Sequence, residues 1–335
     1  MIPVYDQAVE ILNWRDQLKE MFRTPEALLS HLNLAADQNH SDLLGSVVQG
    51  FSLKVTRHYA SLMRKGDWND PLLLQVLPQI KELDVHPGFV AEPLQEHEAM
   101  VLPGLIHKYA GRILLVLGGA CAVNCRYCFR RNFDYADQGL SDASTPAVIE
   151  YIRNDPSITE VILSGGDPLL WPTRRLKSLT TELSAISHLK TLRVHSRVPV
   201  VLPDRLDREF CEWWNALPLK KVMVLHANHG NEFSDQMHRN LKQLAQTTLL
   251  NQAVLLAGVN DNVPALTELC QRGFEMGVLP YYLHLLDKVR GAGHFLVTDQ
   301  KARLLMEQLS HNLPGYLVPK LVREVPGELS KTPIS

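Results

Sequence analysis

From Arg112 onward the chain alternates between two patterns of apolar residues. Short runs rich in aliphatic and β-branched side chains, at 113–117, 160–163, 191–194, 221–225, 251–256 and 280–285, read as strands. Amphipathic stretches lie between them. In Thr145–Asn154, for example, Thr145 reads as the cap and Pro146 occupies the first turn. Strand–helix alternation at this spacing predicts βαβ units around a parallel sheet. Six units are too few to close an eight-unit barrel, so the pattern predicts an α/β fold with an open, partial (β/α)6 barrel. Functional residues are then expected at the carboxyl ends of the strands.

The first hundred residues read differently. Trp14, Leu18 and Phe22 form one apolar stripe, and Leu28, Leu29 and Leu32 form another behind the helix start Thr24-Pro25-Glu26. Proline and glycine then punctuate residues 65–104, at Asp70-Pro71, His86-Pro87-Gly88, Glu92-Pro93 and Leu102-Pro103-Gly104. The division expected is a helical region with its linker at 1–104, without evident chemistry, and a catalytic domain at 105–335.

Composition narrows the class. Apolar residues at 45% and charged residues at 21% suit a globular chain with a sizeable core. A net charge of −2 gives no support for binding nucleic acid or an acidic membrane. No apolar run approaches the ~18 residues a membrane span needs. Three of the five cysteines are clustered, which fits a reducing, cytoplasmic setting rather than a disulfide framework. Cys211 and Cys270 stand alone and read as small buried side chains.

The clustered cysteines carry the chemistry. In RILLVLGGACAVNCRYCFRR, residues 112–131, an apolar run ends in two glycines and delivers Cys121, Cys125 and Cys128 at C-x3-C-x2-C spacing. Three thiolates can hold three corners of a [4Fe–4S] cubane, whose usual all-cysteine site needs four, and the remaining iron is open to another ligand. A structural zinc knuckle is the alternative, but it wants a second ligand pair nearby and none follows. Ser164-Gly165-Gly166-Asp167-Pro168 follows the second run, and its glycines allow a backbone to approach a ligand closely. His226-Ala227-Asn228-His229-Gly230-Asn231-Glu232 follows the fourth, and it reads either as a metal site or as polar lining of a cavity.

The cysteine spacing resembles that of the radical S-adenosylmethionine (SAM) enzymes. In that family SAM chelates the open iron and is split by one electron into methionine and a 5′-deoxyadenosyl radical. The resemblance sharpens over residues 100–335. His107-Lys108-Tyr109, Arg112, the cysteine loop, LSGGDPLL, SRVPVVLP, Asn228-His229, the Asn251–Asp261 segment, Tyr281-Tyr282 and Gly293-His294-Phe295 recur in the order found in the lysine 2,3-aminomutases.

That resemblance implies a partial barrel of radical SAM type and a second cofactor, pyridoxal 5′-phosphate (PLP), carried on Lys331. Glu328, Leu329 and Ser330 replace most of the glycines that normally precede this lysine. Arg112, Tyr109 and Lys108 are implied to hold and stack PLP. Ser164, Gly165, Gly166, Asp167, His226 and Gln252 are implied to hold SAM. Substrate charge agrees: Arg130 offers a guanidinium fork to a carboxylate, while Asp287 and Glu324 offer carboxylates to a distal ammonium. Glu324 stands where an aspartate is usual, and the other reading of these two acids is surface ion pairs with Lys288 and Arg323.

Larger family members carry zinc cysteines between subunits. Asn262 stands at one such position, and the chain stops at Ser335, so no structural zinc and a different or weaker homo-oligomeric contact are expected. The implied activity is conversion of L-α-lysine to β-lysine, with electrons from a reductant protein such as a flavodoxin or ferredoxin. Short members resemble the bacterial enzyme that makes (R)-β-lysine for elongation factor P, which implies a functional link to the elongation factor P lysyl ligase. The rival readings are a radical SAM enzyme without PLP, such as an activase that makes a radical on another protein, and a zinc-binding module.

Overall fold

The computed structural model describes residues 13–35, 47 and 50–334. Of the expected N-terminal region, 1–12, 36–46, 48 and 49 therefore lie outside the described residues. Ten strands form one sheet in chain order: β1 (Met100–Leu102), β2 (Leu105–Tyr109), β3 (Arg112–Val116), β4 (Glu160–Ser164), β5 (Thr191–Ser196), β6 (Lys220–Leu225), β7 (Thr247–Val254), β8 (Leu279–His284), β9 (Lys320–Arg323) and β10 (Thr332–Pro333). Strands β3 to β9 are mutually parallel, while β1–β2–β3 and β9–β10 are antiparallel. The first and last strands do not pair with each other, so the sheet stays open.

The six expected strands are β3 to β8, and the barrel is of the partial α/β type. A seventh parallel strand, β9, extends it. Lys320-Leu321-Val322-Arg323 has only two apolar residues, too short a signal to stand out from sequence. Its centre is nevertheless buried on both faces, at Leu321 and Val322. β7 starts four residues before the expected 251, because Thr247 and Thr248 pair with Lys221 and Val222 of β6.

Amphipathic helices connect the parallel strands and cover the outer face. Thr145–Asn154 buries Val148, Ile149 and Ile152, and Thr173–Ser184 buries Leu176, Leu179 and Leu183, each at the helical spacing that puts them on one side. Ser144, not Thr145, is the N-cap residue of the first; the Thr145 hydroxyl instead donates to the Ser141 carbonyl at 2.7 Å. Asn262 accepts from the Ala265 N–H at 3.0 Å and so caps helix Val263–Glu275.

Among the described residues, the larger of two apolar clusters joins the N-terminal region to the barrel. Trp14, Leu28, Leu29 and Leu72 belong to the same buried cluster as Leu115, Leu163, Val194 and Leu225. The N-terminal helices are thus packed on the barrel, and residues 71–74, 80–83 and 96–99 of the expected linker are helical turns. Among the described residues, no helix is long and apolar enough to cross a membrane.

Candidate active site

Parallel strands deliver chemistry at their carboxyl ends, where backbone pairing stops and loops turn outward. Here six of the seven exits supply part of one wall. The cysteine loop leaves β3, Gly165-Gly166-Asp167 leave β4, Arg197 leaves β5, His226 leaves β6, Asp287 follows β8, and Glu324 follows β9. A single cavity of about 1330 Å³ collects them. That volume exceeds the ~300–1,000 Å³ of an ordinary ligand pocket, leaving room for more than one ligand.

The sixteen residues assigned from sequence to a cofactor or the substrate all line this cavity: the three cysteines, Lys108, Tyr109, Arg112, Arg130, Ser164, Gly165, Gly166, Asp167, His226, Gln252, Asp287, Glu324 and Lys331. Cys121, Cys125 and Cys128 are free thiols, each partly buried. Burial pushes the Cys128 thiol up to about 11 and raises Cys121 well above its usual value, and the neighbouring thiols act in the same direction. Three thiolates gathered this way need a cationic centre, which an iron–sulfur cluster supplies. Among the described residues, no three His, Cys, Asp or Glu side chains converge as the ligands of one metal ion. A cubane asks for something else, since each thiolate binds a different iron. Arg197 adds positive charge, its Nη1 donating to Cys125 Sγ at 2.7 Å.

The glycine turn after β4 is stitched to the cysteine loop. Gly166 N–H donates to the Gly118 carbonyl at 2.6 Å, and Asp167 N–H to that of Ala120 at 2.8 Å. A Cβ on Gly166 would lie 2.5 Å from the Ala120 carbonyl oxygen, and Gly165 has φ +125°. Both positions therefore require glycine for the approach of one backbone to another. Asp167 is fully used: its carboxylate accepts from Ser196 Oγ at 2.7 Å and from the N–H groups of Leu169, Arg197 and Val198. Burial pushes it up to about 6, against the pull of those hydrogen bonds.

At the other side Glu324 gathers donors from both ends of the sheet. It accepts from Lys108 Nζ at 3.1 Å and from Tyr109 Oη on β2, and from Lys331 Nζ at 2.5 Å. Burial works to raise this carboxyl, but Lys331, Tyr109 and Lys108 overcome it and hold it at about 2. Arg112 lies over the Tyr109 ring, 4.6 Å from its centroid. An amine, an aromatic face and two further cations on one wall fit an aldehyde-bearing phosphate cofactor. Asp287 faces the same space. Burial pushes it up to about 7; Lys331 opposes this, while Glu324 and Glu96 reinforce it. Glu324 therefore pairs with Lys331, Lys108 and Tyr109, whereas Arg323 pairs with Asp299 at 2.6 Å.

Arg130 is less free than the sequence implied. Its Nε and Nη2 form a two-pronged bridge to Glu96, at 2.6 and 2.7 Å, and its Nη1 donates to Ser164 Oγ and the Gly165 carbonyl. One Nη2 hydrogen remains for another acceptor. Glu96 lies in the stretch expected to be a linker, as do Gln75 and Glu82. Glu82 bridges Arg126 at 2.6 Å and Arg131 at 3.3 Å behind the cysteine loop. Pairings across such sequence distances leave no local signal. Of the segment 226–232, residues 227–232 do not line the cavity, and among the described residues no three of its side chains gather as ligands of one metal ion. The fully buried Glu232 accepts from the N–H groups of Asn228 and His229 and from Arg197; only His226 of that segment reaches the cavity.

Comparisons with known proteins agree with this geometry. Residues 110–195 match a family model described as a 4Fe-4S single cluster domain. Across 325 residues the chain is 45% identical to the L-lysine 2,3-aminomutase of Escherichia coli, covering 96% of this chain and 94% of that one. Identity is 42% to the Buchnera aphidicola enzyme of the same name (95% and 94% covered) and 43% to that of Haemophilus influenzae (96% and 95%). Likeness of this degree along nearly the whole chain shows that it belongs to the L-lysine 2,3-aminomutase family of isomerases.

Proposed function

We propose that the protein moves the amino group of L-α-lysine from C2 to C3, giving β-lysine, with a [4Fe–4S] cluster, SAM and PLP as cofactors. One observation carries the reading: the three cysteines and the Lys331 amine border the same cavity. When bound, the cluster with SAM supplies a one-electron route to hydrogen abstraction, and PLP supplies a π-system able to stabilise an adjacent radical.

The chain's residues do the placing. Lys331 provides the amine that anchors PLP, with Arg112 and Lys108 as its cationic neighbours and Tyr109 as its stacking face. Ser164, the glycine turn, His226 and Gln252 border SAM. Arg130 presents its remaining guanidinium hydrogen to the substrate carboxylate beside Glu96. Asp287, its carboxyl pushed up by burial to about 7, takes up the distal ammonium, with Glu324 close by. Apolar wall residues such as Ile106, Leu286 and Val322 keep water from a reactive intermediate.

Five free thiols and an oxygen-sensitive cofactor suit a reducing, cytoplasmic setting, with electrons from a flavodoxin or ferredoxin. Resemblance alone supports the further reading that the product serves elongation factor P, through its lysyl ligase. Borohydride reduction of the PLP-loaded chain tests the cofactor assignment. A reduced adduct mapping to Lys331 is expected, and a folded, cluster-containing protein that traps none would favour a radical SAM enzyme without PLP.

A further inference from the structure

Arg197 is held against one cluster cysteine by a set of buried groups drawn from distant parts of the chain. Its Nη1 donates to Cys125 Sγ at 2.7 Å and to Tyr127 Oη at 2.6 Å. Its Nη2 donates to Gln75 Oε1 at 2.7 Å, Glu232 Oε2 at 2.8 Å and Tyr59 Oη at 3.0 Å. Tyr59, Gln75 and Glu232 are fully buried, and Asp167 fixes the Arg197 backbone through its N–H at 2.8 Å. Every one of these partners restrains the guanidinium, so its place beside the sulfur is determined by the fold and not by a flexible stem.

A fixed cation that donates a hydrogen bond to a ligating sulfur favours whichever state carries more negative charge there. Reduction adds one electron to a cluster, so such a contact raises its potential; a carboxylate behind the cation does the opposite. We propose that Arg197, acting through Cys125, sets the reduction potential of the cluster, and that Glu232 trims that effect. Arg197 is a positioning residue in this scheme, because it reaches the cluster only through a ligand. The inference rests on the assignment of Cys121, Cys125 and Cys128 as cluster ligands.

The full chain is reconstituted anaerobically and its iron and sulfide counted, and the cluster is then titrated potentiometrically without SAM, followed by electron paramagnetic resonance. Three variants are compared with the parent. E232Q keeps an acceptor for the N–H groups of Asn228 and His229 but removes the opposing charge, so its potential is expected to rise. R197M/E232Q removes both charges together, avoiding an unpaired buried carboxylate. Its ratio of reduced to oxidised cluster at fixed potential is expected to fall about tenfold, equivalent to about 59 mV for one electron. R197K keeps the charge without the fork and is expected to lie between the double variant and the parent. Opposite shifts in E232Q and R197M/E232Q support the proposal, since a purely structural role would alter iron content or stability without reversing sign. Unmoved potentials, or shifts of the same sign, at full iron content overturn it. Parent protein that takes up no iron overturns the ligand assignment instead, and this inference with it.

Discussion

The ammonium of Lys331 lies 2.5 Å from the carboxylate of Glu324, the two residues flanking the turn between β9 and β10. The pair puts the chain's last lysine inside the cavity that the cysteines border, held there by the strand the sequence signal was too short to announce. Lys331 is thereby recruited from the solvent, where a lysine near the end of a chain would ordinarily sit.

Glu324 also gives a signed pH dependence. Its carboxyl is held at about 2 against an ordinary 4.5. The stability it contributes is complete above pH 4.5 and is lost as pH falls toward 2. E324Q is expected to cost about 1–3 kcal/mol at pH 7 by leaving charged donors unpaired. The gap from the parent should narrow between pH 4.5 and 3. Denaturant melts across that range check this; a gap that widens in acid contradicts it.

Asp287 behaves in the opposite sense. With its carboxyl pushed up to about 7 from an ordinary 3.8, the folded chain keeps a proton that the unfolded chain loses, so this group's contribution to stability declines as pH rises between those values. An arriving ammonium charges it. Lysine binding at pH 6 is expected to release about one proton, and far less at pH 8. Calorimetry in buffers of different ionisation enthalpy counts that proton, which D287N should abolish.

How far the site could be read from sequence differed by residue. The cysteine triplet, the glycine turn and Lys331 lie in short motifs whose spacing survives any fold, and the sixteen residues assigned to a cofactor or the substrate reach the cavity, whereas Asn228, His229 and Glu232 do not. The strands β3 to β8 were legible because each is a compact apolar run between polar loops. Glu96, Glu82, Gln75 and Tyr59 were not, because their partners Arg130, Arg126 and Arg197 lie 34 to 138 positions away. The glycines after β4 were legible as a close approach, but what they approach in the structure is the backbone of the cysteine loop.

Glu82 supports that loop from behind, where the buried Arg126 and the partly buried Arg131 share its carboxylate. E82Q leaves both cations undercompensated and is expected to destabilise the chain by about 3–5 kcal/mol. Denaturant unfolding gives the loss directly, with a matching fall in iron retained after gel filtration. A melting curve like the parent's would show that the arginines find other partners.

The cysteines divide into two kinds. Replacing Cys121, Cys125 or Cys128 with alanine is expected to abolish iron uptake, whereas Cys211→Ala and Cys270→Ala, which truncate buried side chains in the apolar core, should keep it. Iron and sulfide analysis of the five variants after identical reconstitution separates the groups. Equal iron in all five would remove the cluster from this loop.

The most direct test of the whole account supplies the anaerobic, cluster-loaded chain with SAM, PLP, a reductant and L-lysine carrying nitrogen-15 at C2. The products are then resolved on a chiral phase and read by mass and nuclear magnetic resonance. The account predicts β-lysine with the labelled nitrogen now on C3. Unchanged lysine from protein shown to carry both cluster and PLP would contradict it.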